Sequence, residues 1–152
     1  MRINIVAIGK IKEKFFTDAV GEYAKRISRF ADFNIIELPD APASKSAEEQ
    51  KRIESARLLE KAKGYIIAMD GGGRQMSSEE TAKFISDKCT DGVSEFSFLI
   101  GGSHGHAKEL LDKADMRLSF GRPTFPHQLF RVMLCEQIYR ALTIIAGTPY
   151  NK

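Results

Sequence analysis

Residues 96–113, FSFLIGGSHGHAKELLDK, decide the fold. Phe96–Ile100 is a short apolar run of the kind that forms a buried strand, and it passes directly into Gly101-Gly102-Ser103-His104-Gly105-His106. Ala107–Lys113 then has the composition of a short helix. Strand, glycine loop and helix in immediate succession form the building block of an α/β sheet.

Working outward, the same alternation fills the chain. Upstream, Arg2–Gly9 (RINIVAIG) reads as a strand. Glu13–Phe30 reads as a helix, with Phe15, Phe16, Ala19, Val20, Tyr23, Ala24 and Ile27 spaced by threes and fours. Phe33–Leu38 is a second strand, Pro39–Ser44 a loop, and Ala47–Lys63 a largely water-facing helix. Tyr65–Met69 is a third strand, which Asp70-Gly71-Gly72-Gly73 is expected to end. Ser77 and Glu80 have capping-box spacing, opening a helix from Ser78 to about Cys89. Downstream, Met116–Phe120 is a fifth strand, closed by Gly121-Arg122-Pro123, and a last helix runs from Pro126 to Ala146. Gly147 is its stop, with Pro149 just beyond. The alternation predicts one α/β domain over residues 1–152, with a largely parallel sheet and helices on both faces. Ligands of such sheets bind beyond the carboxyl ends of the strands, which directs attention to three loops: 70–74, 101–106 and 120–126.

Composition narrows the class. A chain of 152 residues with 43% hydrophobic and 28% charged residues is ordinary globular material, not a disordered or fibrous one. No run of 18 uncharged apolar residues occurs, so no membrane span is expected. Met1-Arg2-Ile3-Asn4 does not open an export signal, so Cys89 and Cys135 are expected as reduced thiols in the cytoplasm. The net charge is +3, but its distribution is uneven. From Met116 to Lys152, Arg117, Arg122, Arg131, Arg140 and Lys152 face a single acid, Glu136. The rest of the chain holds 18 cations and 19 anions. Chance in a small count is one reading, and a surface for phosphate or nucleic acid is the other.

The Gly101–Gly105 loop allows a ligand close to the backbone, although a tight strand-to-helix turn accounts for it equally. It has neither the dinucleotide spacing nor a phosphate-loop lysine. His104 and His106 lack further ligands at metal-binding spacing, so no metal is expected. The last helix is the most unusual segment, with 13 of the 18 positions from Leu129 to Ala146 apolar. A helix apolar nearly all round packs on two sides. One side meets the sheet, and a second copy of the chain is expected on the other; a wholly intramolecular core helix is the alternative. Glu136 and Arg140 can pair at i, i+4. Arg131 has no such local partner, and with His127 it lies near the three loops, which marks both as candidate functional residues.

Three segments together carry a resemblance: Phe98–Gly105 (FLIGGSHG), Leu118-Ser-Phe with Thr124–Gln128 (TFPHQ), and Arg131–Ala141 (RVMLCEQIYRA) leading to Pro149-Tyr150. The chain resembles the SPOUT-class methyltransferase H family of the bacterial large ribosomal subunit. Met1–Lys10 and Ile35–Asp40 also fit in order and spacing, so the likeness spans the whole chain. It implies an α/β fold with a C-terminal trefoil knot, a feature too rare for any pattern to suggest. It implies methylation of N3 of a pseudouridine in 23S rRNA, on the assembled ribosome, with S-adenosyl-L-methionine as donor. Carried across, the cofactor residues are Met69, Gly101 and the run Phe120, Gly121, Arg122, Pro123, Thr124 and Phe125. The resemblance also implies a homodimer joined through the last helix, with no separate RNA-binding domain.

Catalytic candidates are His127, Arg131 and Tyr150, and RNA-contact candidates are Arg131, Tyr150, Asn151 and Lys152. The tail departs from the family, whose members end Tyr-His and a basic residue, whereas this chain ends Tyr150-Asn151-Lys152. An amide is no general base for the N3 proton. Either the tail histidine is an RNA contact that an amide can replace, or another group takes the proton; the first is preferred, with Tyr150 holding the base and Lys152 a phosphate. Two other readings stand beside this one: a non-catalytic ribosome-binding or assembly module with the same fold, and a small-nucleotide enzyme using the glycine loop.

Overall fold

In the computed structural model, which describes residues 1–152, five strands form one sheet in the order β2-β1-β4-β3-β5, every neighbouring pair parallel. The strands are β1 (Arg2–Ile8), β2 (Asp32–Leu38), β3 (Tyr65–Gln75), β4 (Glu95–Ile100) and β5 (Met116–Ser119). The helices are α1 (Lys14–Ile27), α2 (Ala47–Lys61), α3 (Ser78–Thr90), α4 (Lys108–Lys113) and α5 (His127–Ala146). β1 and β4 are buried over nearly their whole length, as interior strands covered on both faces must be.

The two faces are built differently. Ile3, Ile5, Ile67, Phe96 and Phe98 point to the larger core, which α1, α3 and α5 close with Val20, Ile27, Ile85, Leu134, Ile138 and Leu142. Val6, Ile8, Ala68 and Leu99 point the other way, to a smaller core closed by Leu58 of α2 and Leu110 of α4. Helices therefore cover both faces, as the alternation predicts. The helix ends follow the sequence signals. Ser46 caps α2 by accepting from the Glu49 amide at 3.2 Å. Ser77 and Glu80 exchange bonds of 3.0 and 2.7 Å in a full capping box. Gly147 ends α5 in the left-handed region at φ 72°.

The expectation that Asp70–Gly73 ends the third strand is corrected. β3 continues to Gln75, because both Met69 and Arg74 pair with Leu118 of β5 and the residues between them bulge out. Glycine makes this possible: a Cβ on Gly73 would lie 2.6 Å from the Arg117 carbonyl carbon. Asp70 braces the bulge, accepting from its own Gly72 amide at 3.2 Å and from Arg117 at 2.6 Å.

The last helix divides its apolar surface unevenly. Leu134, Cys135, Ile138, Ala141 and Leu142 are buried against the sheet, and α1 and α3 flank the helix on either side. Leu129 and Ile145 remain exposed at 37% and 40%. No helix is long and apolar enough to cross a membrane.

Candidate functional site

At the carboxyl ends of β3, β4 and β5, three loops and the first turn of α5 enclose a cavity of about 310 Å³. Met69, Gly101 and the run Phe120–Phe125 all line it, and so does His127. The strand-end rule and the family carry-over thus lead to residues the fold gathers in one place.

The cavity's construction follows from its glycines and buried polar groups. Gly102 and Gly105 form a bridge that turns the β4 loop back on itself. A Cβ on Gly102 would lie 2.5 Å from Oε1 of Glu54, so any side chain at this position has to displace that carboxylate. Glu54, on α2, is 3% exposed, and its Oε2 accepts from the Ala41 amide at 2.9 Å. Sequence reasoning did not single it out, because nothing local marks a carboxylate on a water-facing helix as the support of a loop 48 residues away (Glu54 to Gly102). Ser55 beside it accepts from the Ala107 amide at 2.9 Å, fixing the start of α4. Across the cavity, Ser119 Oγ accepts from the Gly121 amide at 3.0 Å and lies 3.3 Å from the Gly71 carbonyl, joining the β5 loop to the β3 bulge.

The two loop histidines separate. His104 is exposed, whereas His106 turns inward with Nε2 3.1 Å from the Leu99 carbonyl. Burial holds the His106 pKa below the ordinary imidazole range, so its ring is neutral at pH 7 and Nε2–H is the donor.

Arg131 requires a correction. Expected as a catalytic or RNA-contacting residue, it is 1% exposed and has no surface to offer RNA. Its Nη1 lies 2.6 Å from Oε2 of Glu37, and Nη2 donates to the Gly9 carbonyl at 3.1 Å. The partner that a helix-local search could not find sits on β2. Glu37 also accepts from the Ile11 amide at 2.9 Å, so the arginine holds the β1–α1 loop in place.

The other candidates lie at the far end of α5. Glu136 and Arg140 pair as the spacing predicts, with Arg140 Nε 2.9 Å from Oε1. The Tyr150 hydroxyl donates to that same oxygen at 3.1 Å, its ring packs edge-on against Tyr139 at 4.6 Å, and Arg140 lies over its face. Burial, with the Glu136 carboxylate second, pushes the Tyr150 pKa up to about 12. Asn151 accepts from Arg140 Nη1 at 3.0 Å and donates to Glu79 of α3 at 2.8 Å, a bond that holds the Glu79 carboxyl below its ordinary range. Lys152 is exposed. The tail is therefore folded back on α3 and α5.

A second cavity, of about 520 Å³, lies against α5 and shares Ser119, Phe120 and Gly121 with the first. Tyr23, Met76, Val132, Met133 and Glu136 form much of its wall. Two concavities divided by one short segment can hold two reactants side by side. The smaller, with apolar walls from Met69, Ile100, Leu118 and Phe130 and glycine backbone at its rim, suits a flat heterocycle with a polar tail.

A family model described as "Predicted SPOUT methyltransferase" matches residues 1–151. The chain is 48% identical to the ribosomal RNA large subunit methyltransferase H of Carboxydothermus hydrogenoformans over 159 aligned positions, covering 100% of both chains. It is likewise 48% identical, over 100% of both chains, to the enzyme of the same name from Limosilactobacillus reuteri. Its fold is similar to that of a probable methylase family protein from Haemophilus influenzae, at TM-score 0.53 and 13% identity, covering 99% of this chain and 70% of that one.

Proposed function

The chain belongs to the SPOUT methyltransferase family, and from this we propose that it methylates N3 of a pseudouridine in 23S rRNA of the assembled ribosome. The relatives' shared name supports the coarser statement, a methyltransferase of large-subunit ribosomal RNA. The observation that carries the reading is the single cavity that gathers Met69, Gly101 and Phe120–Phe125 from three strand ends.

The residues present fit S-adenosyl-L-methionine. The β3 and β4 loops and the Phe120–Phe125 run would hold it, with apolar side chains against the adenine and backbone groups at its polar atoms. Bound there, it supplies an electrophilic methyl group on a sulfonium sulfur. The chain's own part is to position. Phe120 and Gly121 line both this cavity and the larger one, so a base held in the larger cavity would lie beside the bound donor. Tyr150, a phenol whose pKa is pushed further up from its ordinary value, is a donor and a packing surface rather than a base. Asn151 holds the tail through Arg140 and Glu79, in keeping with a structural role for the position where the family resemblance implies a His. The N3 proton would pass to solvent water as the base accepts the methyl group, and orientation contributes much of the acceleration. His127, exposed at the cavity's edge, is the remaining titratable candidate near the cofactor.

The same reading includes a trefoil knot formed by the segment after β5, a homodimer through α5, and one domain over residues 1–152. The exposed Leu129 and Ile145 and the half-buried Val132 and Met133 on α5 support the dimer. At 37–40% exposure or less, each forfeits only part of the about 1.5–3 kcal/mol that full burial of such a side chain is worth. Tritium transfer from labelled S-adenosylmethionine to ribosomes separates the enzyme from a non-catalytic assembly module: transfer supports the enzyme, and binding without transfer the module.

A further inference from the structure

Phe15 is 63% exposed, the most exposed large apolar side chain of the molecule. It stands in the first turn of α1 after Gly9-Lys10-Ile11-Lys12-Glu13-Lys14. The acids of the N-terminal 115 residues mask this local lysine cluster in any regional charge count. Lys14 is taken up by Asp18 at 2.7 Å, whereas Lys10 and Lys12 are exposed and pair with no carboxylate.

The loop carrying these residues is firmly held. Gln128 of α5 accepts from the Lys12 and Glu13 amides at 3.0 and 3.2 Å. Ile11 is tied to Glu37, and Glu37 to the buried Arg131. Phe16, half-buried, supports the Phe15 ring with centroids 4.5 Å apart. Gln128 directly follows His127, which lines the cofactor cavity together with Arg122. The loop thus presents one aromatic face and two ammonium groups, and it is bonded through Gln128 to the first turn of α5, whose His127 lines the site.

An aromatic face flanked by cations fits one partner chemistry well: an unstacked nucleotide with its neighbouring phosphates. We propose that Phe15, Lys10 and Lys12 form an RNA platform, Phe15 stacking a base of single-stranded RNA next to the target and the two lysines holding its backbone. This rests on the RNA-methyltransferase reading above and deepens it. It places part of the RNA grip at the amino-terminal end of the chain, outside the basic carboxyl-terminal segment. It also gives the Arg131–Glu37 pair a purpose, since that pair fixes the platform.

The test uses the full chain and purified bacterial ribosomes, with equilibrium binding and methyl transfer measured in parallel. Phe15→Ala is expected to weaken ribosome binding about tenfold, as loss of one stacked base does, and to raise KM without changing kcat. Phe15→Tyr keeps the ring and restores binding. Lys10→Ala with Lys12→Ala is expected to reduce the slope of log K against log salt by about 1.4, the share of two phosphate contacts on a single strand. Unchanged binding in Phe15→Ala together with an unchanged slope in the lysine variant overturns the platform. So does a loss of self-association in Phe15→Ala, which would assign the ring to a second copy. Wild-type protein that binds ribosomes but transfers no methyl overturns the enzymatic reading, and the variants' binding still decides the platform. Wild-type protein that binds no ribosomes overturns the platform itself.

Discussion

Arg131 of α5 and Glu37 of β2 form an ion pair of 2.6 Å in which the guanidinium is almost wholly enclosed and the carboxylate is a third exposed. The pair joins the last helix to an edge strand 94 residues earlier and, through the Ile11 amide, to the loop after β1. A charge in that setting is held by its partners, and removing one of them leaves the others short of a bond.

Arg131→Met is therefore expected to cost about 1–3 kcal/mol in urea unfolding, less than the roughly 3–5 kcal/mol for a fully buried pair because the Glu37 left behind is a third exposed. Glu37→Gln alone should also destabilise, and the double variant should lose less than the sum of the two. A loss under about 0.5 kcal/mol for Arg131→Met, the size of an ordinary surface change, would contradict this account of the arginine.

Gly73 and Gly71 lie in the same bulge with different surroundings. A Cβ at Gly73 meets β5 backbone at 2.6 Å, whereas one at Gly71 meets nothing within 4 Å. Gly73→Ala should force β5 away from β3 and destabilise the fold by about 1–3 kcal/mol. Gly71→Ala should stay within about 0.5 kcal/mol. Paired thermal unfolding measurements check the contrast, and equal effects would show that backbone proximity does not govern the bulge.

His106 gives a pH dependence. Burial lowers its folded pKa below the unfolded value, so the unfolded chain binds the proton more readily. The stability this neutral ring contributes is complete above about pH 6.5, the unfolded value, and is lost as pH falls toward the folded pKa. His106→Gln keeps an N–H for the Leu99 carbonyl but cannot titrate. Unfolding midpoints at pH 7.5 and 5.5 should differ more for wild type than for this variant, and parallel pH profiles would exclude His106 as the cause.

Asn151 tests whether the tail supplies a base. Its amide already bonds both Arg140 and Glu79, which is a positioning role. Asn151→His should change single-turnover methylation at saturating ribosomes by less than about tenfold, since orientation and not proton removal is what the tail contributes. A rise of about a hundredfold, the scale of a general base, would show that a base is missing from the native chain.

Much of this structure was legible in the residues because the relevant signals are local. The Ser77–Glu80 capping box, the Gly147 stop and the Glu136–Arg140 pair each lie within one or two turns, and each forms. The three strand-end loops were also legible, since alternation of strand and helix fixes which ends face the same way. What escaped was long-range. β3 continues past three glycines only because β5 lies alongside to pair with the residues on either side of the bulge. Arg131 finds no partner at helical spacing because that partner is in another element, and nothing local marks Glu54 because its role depends on a loop pressed against it. Phe15 fitted the apolar stripe of α1 by spacing, and only the packed structure leaves its ring in water.

The most direct test of the central claim is mass mapping of 23S rRNA from a bacterial strain lacking its own large-subunit pseudouridine methyltransferase and expressing this chain. A single methyl group restored on N3 of a pseudouridine is the predicted result, with the signal absent when Gly102→Leu closes the cofactor loop against Glu54. Unmodified 23S rRNA in cells that contain the folded chain, or a methyl group on another nucleotide, would contradict it.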